Sequence, residues 1–549
     1  MAGFLRAAAA PSVFDFIVVG AGSSGCVVAE ALSRSGKYTV AVVEAGGSDR
    51  KFFVQMPLGY GKTFYDPSIN WGYRAEADPG LNGQSDYWPR GKILGGSSSI
   101  NAMVWIRGDR RDYDDWADEG NVGWSYRDVL PFFKAIEDNE AGADEWRGIG
   151  GPVHISDVRK KVHPLADRFV RAALEAGYDP NRDFNGKNQE GVGIYQINTK
   201  GGWRMSAAKA FLRPALKRKN VTLFSNAQVT KLNIRDGRVT GIALSQKGER
   251  ANLVATREVI LSAGAVNTPQ LLQLSGIGPT AHLGKLGITT QVDSPAVGHH
   301  MQDHLGINYI YKTRVPTLNQ SLRPLYGKIF AGIRFLLLGS GPLSLSLNQG
   351  GGFVRSDIKY SRPNIQLYFQ AISTLTARTG TRPLLEPDPF PAIALGLSNC
   401  RPKARGTCLI QSADPFVSPI IRANAFGGDG DIEDMLSGVK LLRHLARQKA
   451  LAEIIVEELA PGPSVQSDAD LINDARTRSG TVYHPVGTCR MGTSIETSVV
   501  DARLKAHGIG GLRIADASVF PSIISGNTNA ACMMIGAKAA AMILEDSQV

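Results

Sequence analysis

The chain of 549 residues is 43% apolar, enough to bury a large core. Its formal net charge is +11 at pH 7, but the basic residues are dispersed and accompany no recognition motif, so we expect no nucleic-acid partner. No stretch reaches the ~18 apolar residues that a membrane-spanning helix requires. The nearest one, residues 329–338, contains Arg334 and predicts a buried or interfacial helix.

The five cysteines are scattered along the chain, and no pair has the spacing of a zinc site. We therefore expect neither a metal nor a disulfide framework. Residues 1–10 lack the charged start and the ~7–15-residue apolar stretch of a secretory signal. These features predict a cytoplasmic protein, with attraction of its positive charge to an anionic membrane surface left open.

The first predicted unit along the chain binds a dinucleotide. Residues 15–20 form an apolar, β-branched run that is typical of a buried parallel strand. This run leads into Gly20-Ala-Gly22-Ser-Ser-Gly25, then a helix and a second strand that ends at Glu44. The three glycines permit a tight turn, close approach to a pyrophosphate and close helix–strand packing, while the helix N-terminus attracts phosphate. Glu44 is placed to accept hydrogen bonds from a ribose, and the pattern does not decide between NAD and FAD.

Two later segments repeat the combination of glycine with small polar residues. Residues 89–108 place glycine and serine before an apolar run that follows Asn101. Such a loop presents amides and hydroxyls to a planar polar ligand, although a serine-rich surface turn is the structural alternative. Residues 259–278 predict a strand, a glycine turn and an amphipathic helix with Pro269 in its first turn. Alone, this second segment is equally consistent with a crossover unit that contacts no ligand.

The middle of the chain, residues 307–466, carries no nucleotide fingerprint. Residues 363–370 and 391–398 alternate between apolar and polar side chains, which predicts half-buried strands and therefore an antiparallel sheet. Tyr368 and Phe369 are candidates for a substrate pocket, although an aromatic residue on a strand more often belongs to a core. A cage of aromatic rings around a choline-type cation is thus the less favoured interpretation.

Near the C-terminus, His484 precedes Pro485 in a glycine-containing turn. Proline pushes the preceding residue out of helix, and an imidazole with a pKa of ~6.5 can accept a proton near neutral pH. The same pattern is common in purely structural loops. Here, however, a predicted strand at 512–516 ends in Asp516, and ligands bind at the carboxyl ends of parallel strands. A helix rich in small residues follows, and this setting favours His484 as an active-site base.

The order of these segments resembles the glucose-methanol-choline oxidoreductase family. The resemblance rests on the first glycine fingerprint, on GGSSSIN, on AGAVNTPQLLQLSGIG and on YHPVGTCRMG. It covers nearly the whole chain and is strongest for bacterial alcohol, choline and sorbose dehydrogenases. It implies an α/β fold with a Rossmann-like FAD-binding domain (residues 1–151, 202–306 and 467–549) and a second α+β substrate domain built on an antiparallel sheet (152–201 and 307–466).

The resemblance assigns FAD contacts by position, in all of the segments described above. Some members of the family attach FAD covalently through a histidine directly before the asparagine of the loop, and this chain has Ile100 there. We therefore predict tightly bound, noncovalent FAD. The implied contacts are Gly20, Gly22, Ser23, Ser24, Gly25, Glu44, Ala45, Trp71, Gly95, Ser97, Asn101, Ala102, Met103, Val104, Val229, Ala263, Asp516, Ala517, Thr528 and Asn529.

The resemblance also implies the chemistry, with His484 at the catalytic histidine and Asn527 at the second active-site position. Asparagine cannot act as a base at neutral pH, so we predict that His484 takes the proton of an alcohol while Asn527 orients the hydroxyl. The expected reaction converts a primary or secondary alcohol to an aldehyde or ketone, with hydride passing to flavin N5 and electrons to a quinone-like acceptor. An oxygen-using oxidase, a hydroxynitrile lyase of the same fold and a noncatalytic nucleotide-binding module are the alternatives. A homodimer and peripheral membrane attachment are both compatible with the sequence.

Overall fold

Two sheets organise the part of the chain that the structure, a computed structural model, describes: residues 12–375 and 386–547. Residues 1–10, where we looked for a signal sequence, lie outside it. The strands are, in chain order, β1 (Ser12–Val19), β2 (Val40–Glu44), β3 (Tyr73–Arg74), β4 (Tyr87–Trp88), β5 (Glu137–Asn139), β6 (Val153–Ile155), β7 (Gly191–Ile194), β8 (Thr199–Lys200), β9 (Trp203–Arg204), β10 (Val221–Ser225), β11 (Ala227–Arg235), β12 (Arg238–Gln246), β13 (Glu249–Leu261), β14 (Ile277–Gly278), β15 (Val292–Asp293), β16 (Leu305–Thr313), β17 (Gly350–Val354), β18 (Ile365–Gln370), β19 (Ala392–Asn399), β20 (Thr407–Leu409), β21 (Ile420–Arg422), β22 (Ile455–Ala460), β23 (Gly480–Thr481) and β24 (Leu512–Ile514). The helices are α1 (Ser23–Ser33), α2 (Phe52–Gln55), α3 (Tyr60–Thr63), α4 (Arg110–Asp118), α5 (Tyr126–Ile136), α6 (Leu165–Glu175), α7 (Arg213–Ala215), α8 (Gly264–Leu274), α9 (Thr280–Lys285), α10 (Leu318–Leu322), α11 (Leu325–Leu338), α12 (Asp431–Ala446), α13 (Lys449–Ala452), α14 (Asp468–Arg478) and α15 (Asn529–Asp546).

The first sheet has the order β10-β2-β1-β13-β12-β11, with β24 beside β13. Its strands β10, β2, β1, β13 and β24 run parallel, while β11 and β12 pair antiparallel with the long strand β13. The β-branched runs of β1 and β2 are buried, as expected for parallel strands covered by helices. Helix α15 packs on α1 over this sheet. The carboxyl ends of the parallel strands therefore share one edge.

The helix after the third glycine turn differs from its prediction in two respects. Helix α8 begins at Gly264, so Pro269 lies inside the helix rather than in its first turn, and the helix is buried on nearly every side rather than amphipathic. An internal proline leaves a carbonyl without its helical donor. In this helix that carbonyl belongs to Ala265, and it accepts a hydrogen bond from the Thr488 hydroxyl at 2.7 Å. The hydroxyl of a residue more than two hundred positions away thus replaces the amide donor that the proline lacks.

The second sheet is antiparallel throughout, with the order β22-β16-β19-β18-β17-β7 and β23 beside β16. The prediction of an α/β fold with a second, antiparallel sheet is confirmed. Strands β18 and β19 were expected to be half-buried, but both are almost completely buried. Helices α6 and α12 pack on this sheet. Its other residues face the cavity and the first sheet. Because both faces are covered, the polar positions of these strands are buried as well.

The chain passes between the two sheets several times. Strand β7 and strands β16 to β22 lie in segments that we assigned to the substrate domain, whereas β23 lies in the segment 467–549 and pairs with β16. The exact domain boundaries stay a prediction. Within the described ranges, no helix is both long and apolar enough to cross a bilayer.

Candidate active site

A cavity of about 990 Å³ lies between the two sheets. On one side it is bounded by the carboxyl ends of β1, β2 and β13 and by the first residues of α1, and on the other by residues of the second sheet. A volume near 1,000 Å³ is at the upper end of the range for small-molecule and cofactor sites. The cavity can therefore hold a ligand much larger than a simple alcohol.

The structure brings the predicted site residues together in this cavity. All of them line it except Gly25 and Gly95, which lie just behind its wall. Gly25 packs so closely that a Cβ atom there would lie 1.9 Å from the carbonyl oxygen of Gly20. Gly95 has a φ of +89° and directly precedes the short helical turn Gly96–Ser99. These two glycines shape the wall, and their contacts with FAD stay a prediction.

The first glycine turn has the geometry that the fingerprint predicts. Gly20 has a φ of +98°, and a Cβ atom there would lie 2.4 Å from the carbonyl oxygen of Ser262. Helix α1 starts at Ser23, so its unpaired N-terminal amides point to the cavity edge. Gly96 of the second loop presses against the same turn, with a hypothetical Cβ atom 2.8 Å from the Cα atom of Gly22. Two small-residue turns thus leave open backbone at one place, an arrangement suited to a pyrophosphate.

Glu44 lies at the end of β2 with both carboxylate oxygens hydrogen-bonded to backbone. The Ala21 amide donates to Oε2 at 2.9 Å and the Gly46 amide donates to Oε1 at 2.8 Å. Burial raises the pKa of Glu44 to about 7, and these two amides act against that rise. Each oxygen keeps a further lone pair for a ribose hydroxyl, and Val229 lines the cavity nearby.

Helix α15 begins at Asn529, next to Thr528, and both residues line the cavity. The Ser23 hydroxyl donates to Asn529 Oδ1 at 2.7 Å, which joins the starts of α1 and α15. Asn529 Nδ2 is buried and has no hydrogen-bond partner among the described residues. A buried donor of this kind normally has a partner, so it fits a ligand with a polar edge.

Asp516 connects β24 to the start of α8. Its carboxylate accepts from the Gly264 amide at 2.8 Å and from the Thr268 hydroxyl at 2.6 Å. Burial raises the pKa of Asp516, and hydrogen bonds from these groups and from Ser518 oppose the rise. The residue lines the cavity and at the same time holds two elements of its wall in place.

His484 faces the cavity at the end of a chain of imidazole contacts. Its Nδ1 lies 3.0 Å from Nδ1 of His304, and Nε2 of His304 lies 3.0 Å from the carbonyl oxygen of Cys400. Burial lowers the pKa of His304 to about 4. Burial, reinforced by His304 and Arg90, also holds the pKa of His484 well below its usual range. Both rings are therefore neutral at pH 7.

We assign the protons of the two neutral rings from these contacts. A carbonyl oxygen only accepts, so we place the proton of His304 on Nε2, toward Cys400, and its Nδ1 is then an acceptor. His484 must then donate from Nδ1 to His304, which leaves its Nε2 unprotonated. This Nε2 lies 3.2 Å from Nδ2 of Asn527. The basic nitrogen of His484 is thus directed at Asn527 and the cavity.

Asn527 is held by a second amide. Gln366 on β18 donates from Nε2 to Oδ1 of Asn527 at 3.2 Å. Because the carboxamide oxygen is used by Gln366, the Nδ2 group is the one presented to His484. Strand β18 of the second sheet therefore positions a residue that directly precedes α15, the helix packed over the first sheet.

The backbone around His484 is held in an uncommon conformation. Tyr483 has a φ of +71°, and the next amide, of His484, donates to Asp303 Oδ1 at 2.8 Å. Burial raises the pKa of Asp303 to about 7, and its other oxygen accepts from the Thr481 hydroxyl. Sequence reasoning assigned no role to Asp303, His304 or Gln366. Only the histidine and the aspartate could have been suspected, because they are adjacent polar residues before an apolar strand.

The candidate pocket aromatics divide between two environments. Tyr368 lines the cavity and shares a hydrogen bond with Ser398 at 3.1 Å. Phe369 is instead buried on the far side of the strand, where its ring stacks on Phe169 with centroids 5.3 Å apart. Successive residues of a strand point to opposite faces, so one aromatic of the pair belongs to the site and the other to the core.

The chain is similar to known proteins over nearly its whole length. Family models described as GMC oxidoreductase match residues 14–306 and 402–536. The chain is 38% identical to the alcohol dehydrogenase [acceptor] of Pseudomonas putida, over 97% of this chain and 96% of that protein. It is 39% identical to the oxygen-dependent choline dehydrogenase of Rhizobium rhizogenes, over 96% of this chain and 95% of that protein.

Solved structures share the fold. Pyridoxine 4-oxidase from Mesorbium loti superposes with a TM-score of 0.86 at 28% identity, covering 96% of this chain and 98% of that one. The Aspergillus oryzae formate oxidase, studied for modification of its FAD, superposes with a TM-score of 0.90 at 27% identity, covering 98% of this chain and 100% of that one.

Proposed function

The chain belongs to the GMC oxidoreductase family, and from this premise we propose that it is an FAD-dependent dehydrogenase of primary or secondary alcohols. The observation that carries the proposal is the contact between His484 Nε2 and the Asn527 amide, 3.2 Å apart at the cavity. In the tautomer assigned above, this nitrogen carries no proton. A buried base beside a donor is the pair that an alcohol needs, because the hydroxyl gives a proton to one and accepts a hydrogen bond from the other.

The residues around the cavity fit bound FAD. We propose that the turn from Gly20 to Gly25 and the start of α1 hold the pyrophosphate, and that Glu44 holds the adenosine ribose. Asn529 supplies an unused buried donor toward the polar edge of the isoalloxazine ring. Ile100 lines the cavity and carries no nucleophile, which supports noncovalent attachment. When bound, the flavin accepts the hydride that leaves the alcohol carbon.

His484 is proposed to take the hydroxyl proton at Nε2. The contact to His304 keeps the other nitrogen protonated, so the ring cannot present an N–H group to the hydroxyl. The depressed pKa keeps the imidazole in its neutral, accepting form across the physiological range. His304 does not line the cavity and is therefore a positioning residue rather than a catalytic one.

Asn527 is proposed to orient the hydroxyl and to stabilise the oxygen as it loses its proton. Its Nδ2 group is the only donor of that side chain, and the contact from Gln366 prevents the amide from turning. A fixed donor of this type acts without reorganisation during the reaction. The proton itself passes only to His484.

The proposed substrate is a neutral alcohol. The residues of the second sheet that line the cavity include Ile307, Tyr368 and Leu397, and no acidic residue is among the lining residues of β16, β18 and β19. A quaternary ammonium group is normally held by several aromatic rings or by a carboxylate. Elsewhere the cavity lining does include the rings of Tyr60, Phe64 and Tyr483 and the carboxylate of Asp86. Choline, the substrate named for several relatives, is the second candidate.

The electron acceptor is proposed to be quinone-like, with the protein in the cytoplasm or at a membrane surface. The name of the Pseudomonas putida relative, alcohol dehydrogenase [acceptor], does not say which acceptor that enzyme uses. An oxygen-using oxidase and a lyase without redox turnover remain the alternatives. A homodimer stays a prediction from the sequence.

One experiment separates these functions. The purified holoenzyme is mixed anaerobically with aliphatic, aromatic and polyol alcohols and with choline, and flavin absorbance is followed. We expect a neutral alcohol to bleach the flavin, and an artificial quinone to restore the colour faster than oxygen does. A flavin that stays oxidised while a cyanohydrin is cleaved would reveal a lyase. Faster reoxidation of the flavin by oxygen than by the quinone would reveal an oxidase. Reduction of the flavin by choline and by none of the neutral alcohols would overturn the proposed neutral substrate.

A further inference from the structure

Helix α11 is apolar on nearly every side, yet most of it is exposed. It runs from Leu325 to Leu338, and among its residues only Ala331 and Phe335 are buried. A helix that is hydrophobic all round normally lies inside a protein or a membrane. The exposed side chains, 52–77% accessible, are Leu325, Tyr326, Ile329, Phe330, Ile333, Leu336, Leu337 and Leu338. The sequence predicted a buried or interfacial helix here, and the described part of the chain leaves these side chains exposed.

The apolar surface continues beyond the helix. Phe52 of α2 lies beside Phe335, with ring centroids 6.3 Å apart, and Trp203 packs on Phe335 at 4.5 Å. Phe52 and Phe53 are themselves 46% and 40% exposed. With side chains of this size, the combined surface is on the order of 1,000 Å². Soluble monomers rarely expose patches above a few hundred Å², and larger ones mark contact with a partner or a membrane. We call this set, α11 with Phe52 and Phe53, the α11 surface.

The segment that contains α11 carries positive charge and no acidic residue. Between Asp303 and Asp357 the sequence contains no aspartate or glutamate. Lys328 and Arg334 lie on α11 itself, and both are exposed. Lys62 lies over the Phe53 ring, with its nitrogen 4.3 Å from the centroid. The surface thus combines large apolar side chains with a few cations, and both kinds of side chain contribute when a protein surface binds an anionic bilayer.

We propose that the α11 surface docks the enzyme on an anionic lipid bilayer. Large side chains such as Phe330 and Leu337 would enter the boundary between headgroups and acyl chains, and Lys328 and Arg334 would meet anionic headgroups. A second copy of the chain covers the surface less well. In a symmetric dimer each patch faces itself, so Lys328 and Arg334 would confront the same cations without an acid on α11. A negatively charged membrane instead attracts each of these cations.

Docking would also bring the cavity wall close to the lipid. The last turn of α11 packs against the turn Pro342–Ser344. Shortly after this turn, Leu347 and Asn348 line the cavity. An enzyme held by α11 therefore keeps that wall beside the bilayer, where apolar alcohols and quinone-like acceptors concentrate. The docking itself does not depend on the proposed reaction.

The test is sedimentation of the holoenzyme with sucrose-loaded vesicles. We would use phosphatidylcholine vesicles with about 30 mol % phosphatidylglycerol, and matched vesicles without it, near 0.15 M salt. The apolar variant is F330S/L337S, and its control is V122S/I358S, which changes two exposed apolar residues outside the α11 surface. The charge variant is K328E/R334E, and its control is K219E/K285E, which makes the same charge change at two exposed lysines elsewhere.

We expect the wild type to bind the anionic vesicles and to lose at least tenfold in affinity in each α11 variant. Both controls should bind like the wild type. Flavin absorbance and thermal melting should be unchanged in all four variants, since every substituted side chain is exposed. Two results would overturn the proposal: equal binding by the wild type and the α11 variants, or no vesicle binding by a wild-type dimer that F330S/L337S converts to a monomer in sedimentation equilibrium. The second result would assign the surface to another copy of the chain.

Discussion

Replacing His304 with leucine tests how the base is held in its reactive form. His304 is fully buried, lies 3.0 Å from the Cys400 carbonyl and from Nδ1 of His484, and also contacts the backbone of Ile524. Leucine has a similar volume but no acceptor, so H304L leaves the Nδ1–H group of His484 without a partner. The ring is then free to move its proton to Nε2, and in that form it cannot accept the proton of an alcohol.

The magnitude follows from the lost contact. A buried donor without a partner costs about 1–3 kcal/mol, which corresponds to a roughly 5–150-fold slower proton transfer. Glutamine at the same position can still donate to Cys400 with its amide and accept from His484 with its oxygen. We therefore expect H304Q to retain most of the wild-type rate and H304L to lose it.

The assay is anaerobic stopped-flow reduction of the bound flavin by the best alcohol of the substrate panel, measured across pH. FAD content and the melting temperature report whether the fold is intact. His304 also contributes to the low pKa of His484, so the acid limb of the rate profile should move to higher pH in both variants. Equal rates for H304L and the wild type would refute the proton arrangement. If H304L and H304Q lost the same fraction of the flavin-reduction rate and the acid limb of the profile did not move, His304 would act only through packing.

Three further predictions concern the base, the nucleotide turn and acid stability. The variant H484A should keep FAD but reduce it ~10²–10⁴-fold more slowly, because the general base is gone. The variant G25A should fail to retain FAD, since its Cβ atom would lie 1.9 Å from the Gly20 carbonyl, whereas G284A, with nothing within 4 Å, should bind FAD normally. Burial keeps the pKa of His304 at about 4, below the ~6.5 of a histidine in the unfolded chain. As the pH falls, the unfolded chain therefore binds a proton at this residue before the folded chain does. The free energy of unfolding should decrease between pH ~6.5 and about 4, by at most ~3 kcal/mol.

Each of these predictions has a simple readout. Flavin reduction at the wild-type rate in H484A would assign proton transfer to another group. Full FAD content in G25A would show that the turn has more room than its geometry indicates. For acid stability, melting temperatures of the wild type and H304Q are compared across the same pH window. The melting temperature of H304Q should fall less on acidification than that of the wild type. Asp303, whose pKa is raised to about 7, changes stability with pH in the opposite direction, but it is present in both proteins and its contribution cancels in the comparison. Parallel curves would contradict the assignment.

Local patterns were sufficient for much of the nucleotide unit. The turn from Gly20 to Gly25 and the strand ending at Glu44 appear where the sequence places them, because each requirement there concerns residues close in the chain. Pro269 was placed wrongly within its helix, because the donor that tolerates it comes from Thr488, far away in sequence. Burial of β18 and β19 was underestimated for a related reason, since polar residues of a strand become enclosed when both faces are covered.

The sequence by itself determined the fold class, the cofactor unit and the candidacy of His484, since glycine turns, apolar periodicity and a His-Pro pair are local features. Only the tertiary structure decided which nitrogen of His484 faces the cavity. That depends on His304 and Cys400, which reach His484 through strand pairing and not through chain proximity. It likewise decided that α11 lies on the outside. Apolar composition is the same for a buried helix and an interfacial one, and only the neighbours that pack on a helix distinguish the two.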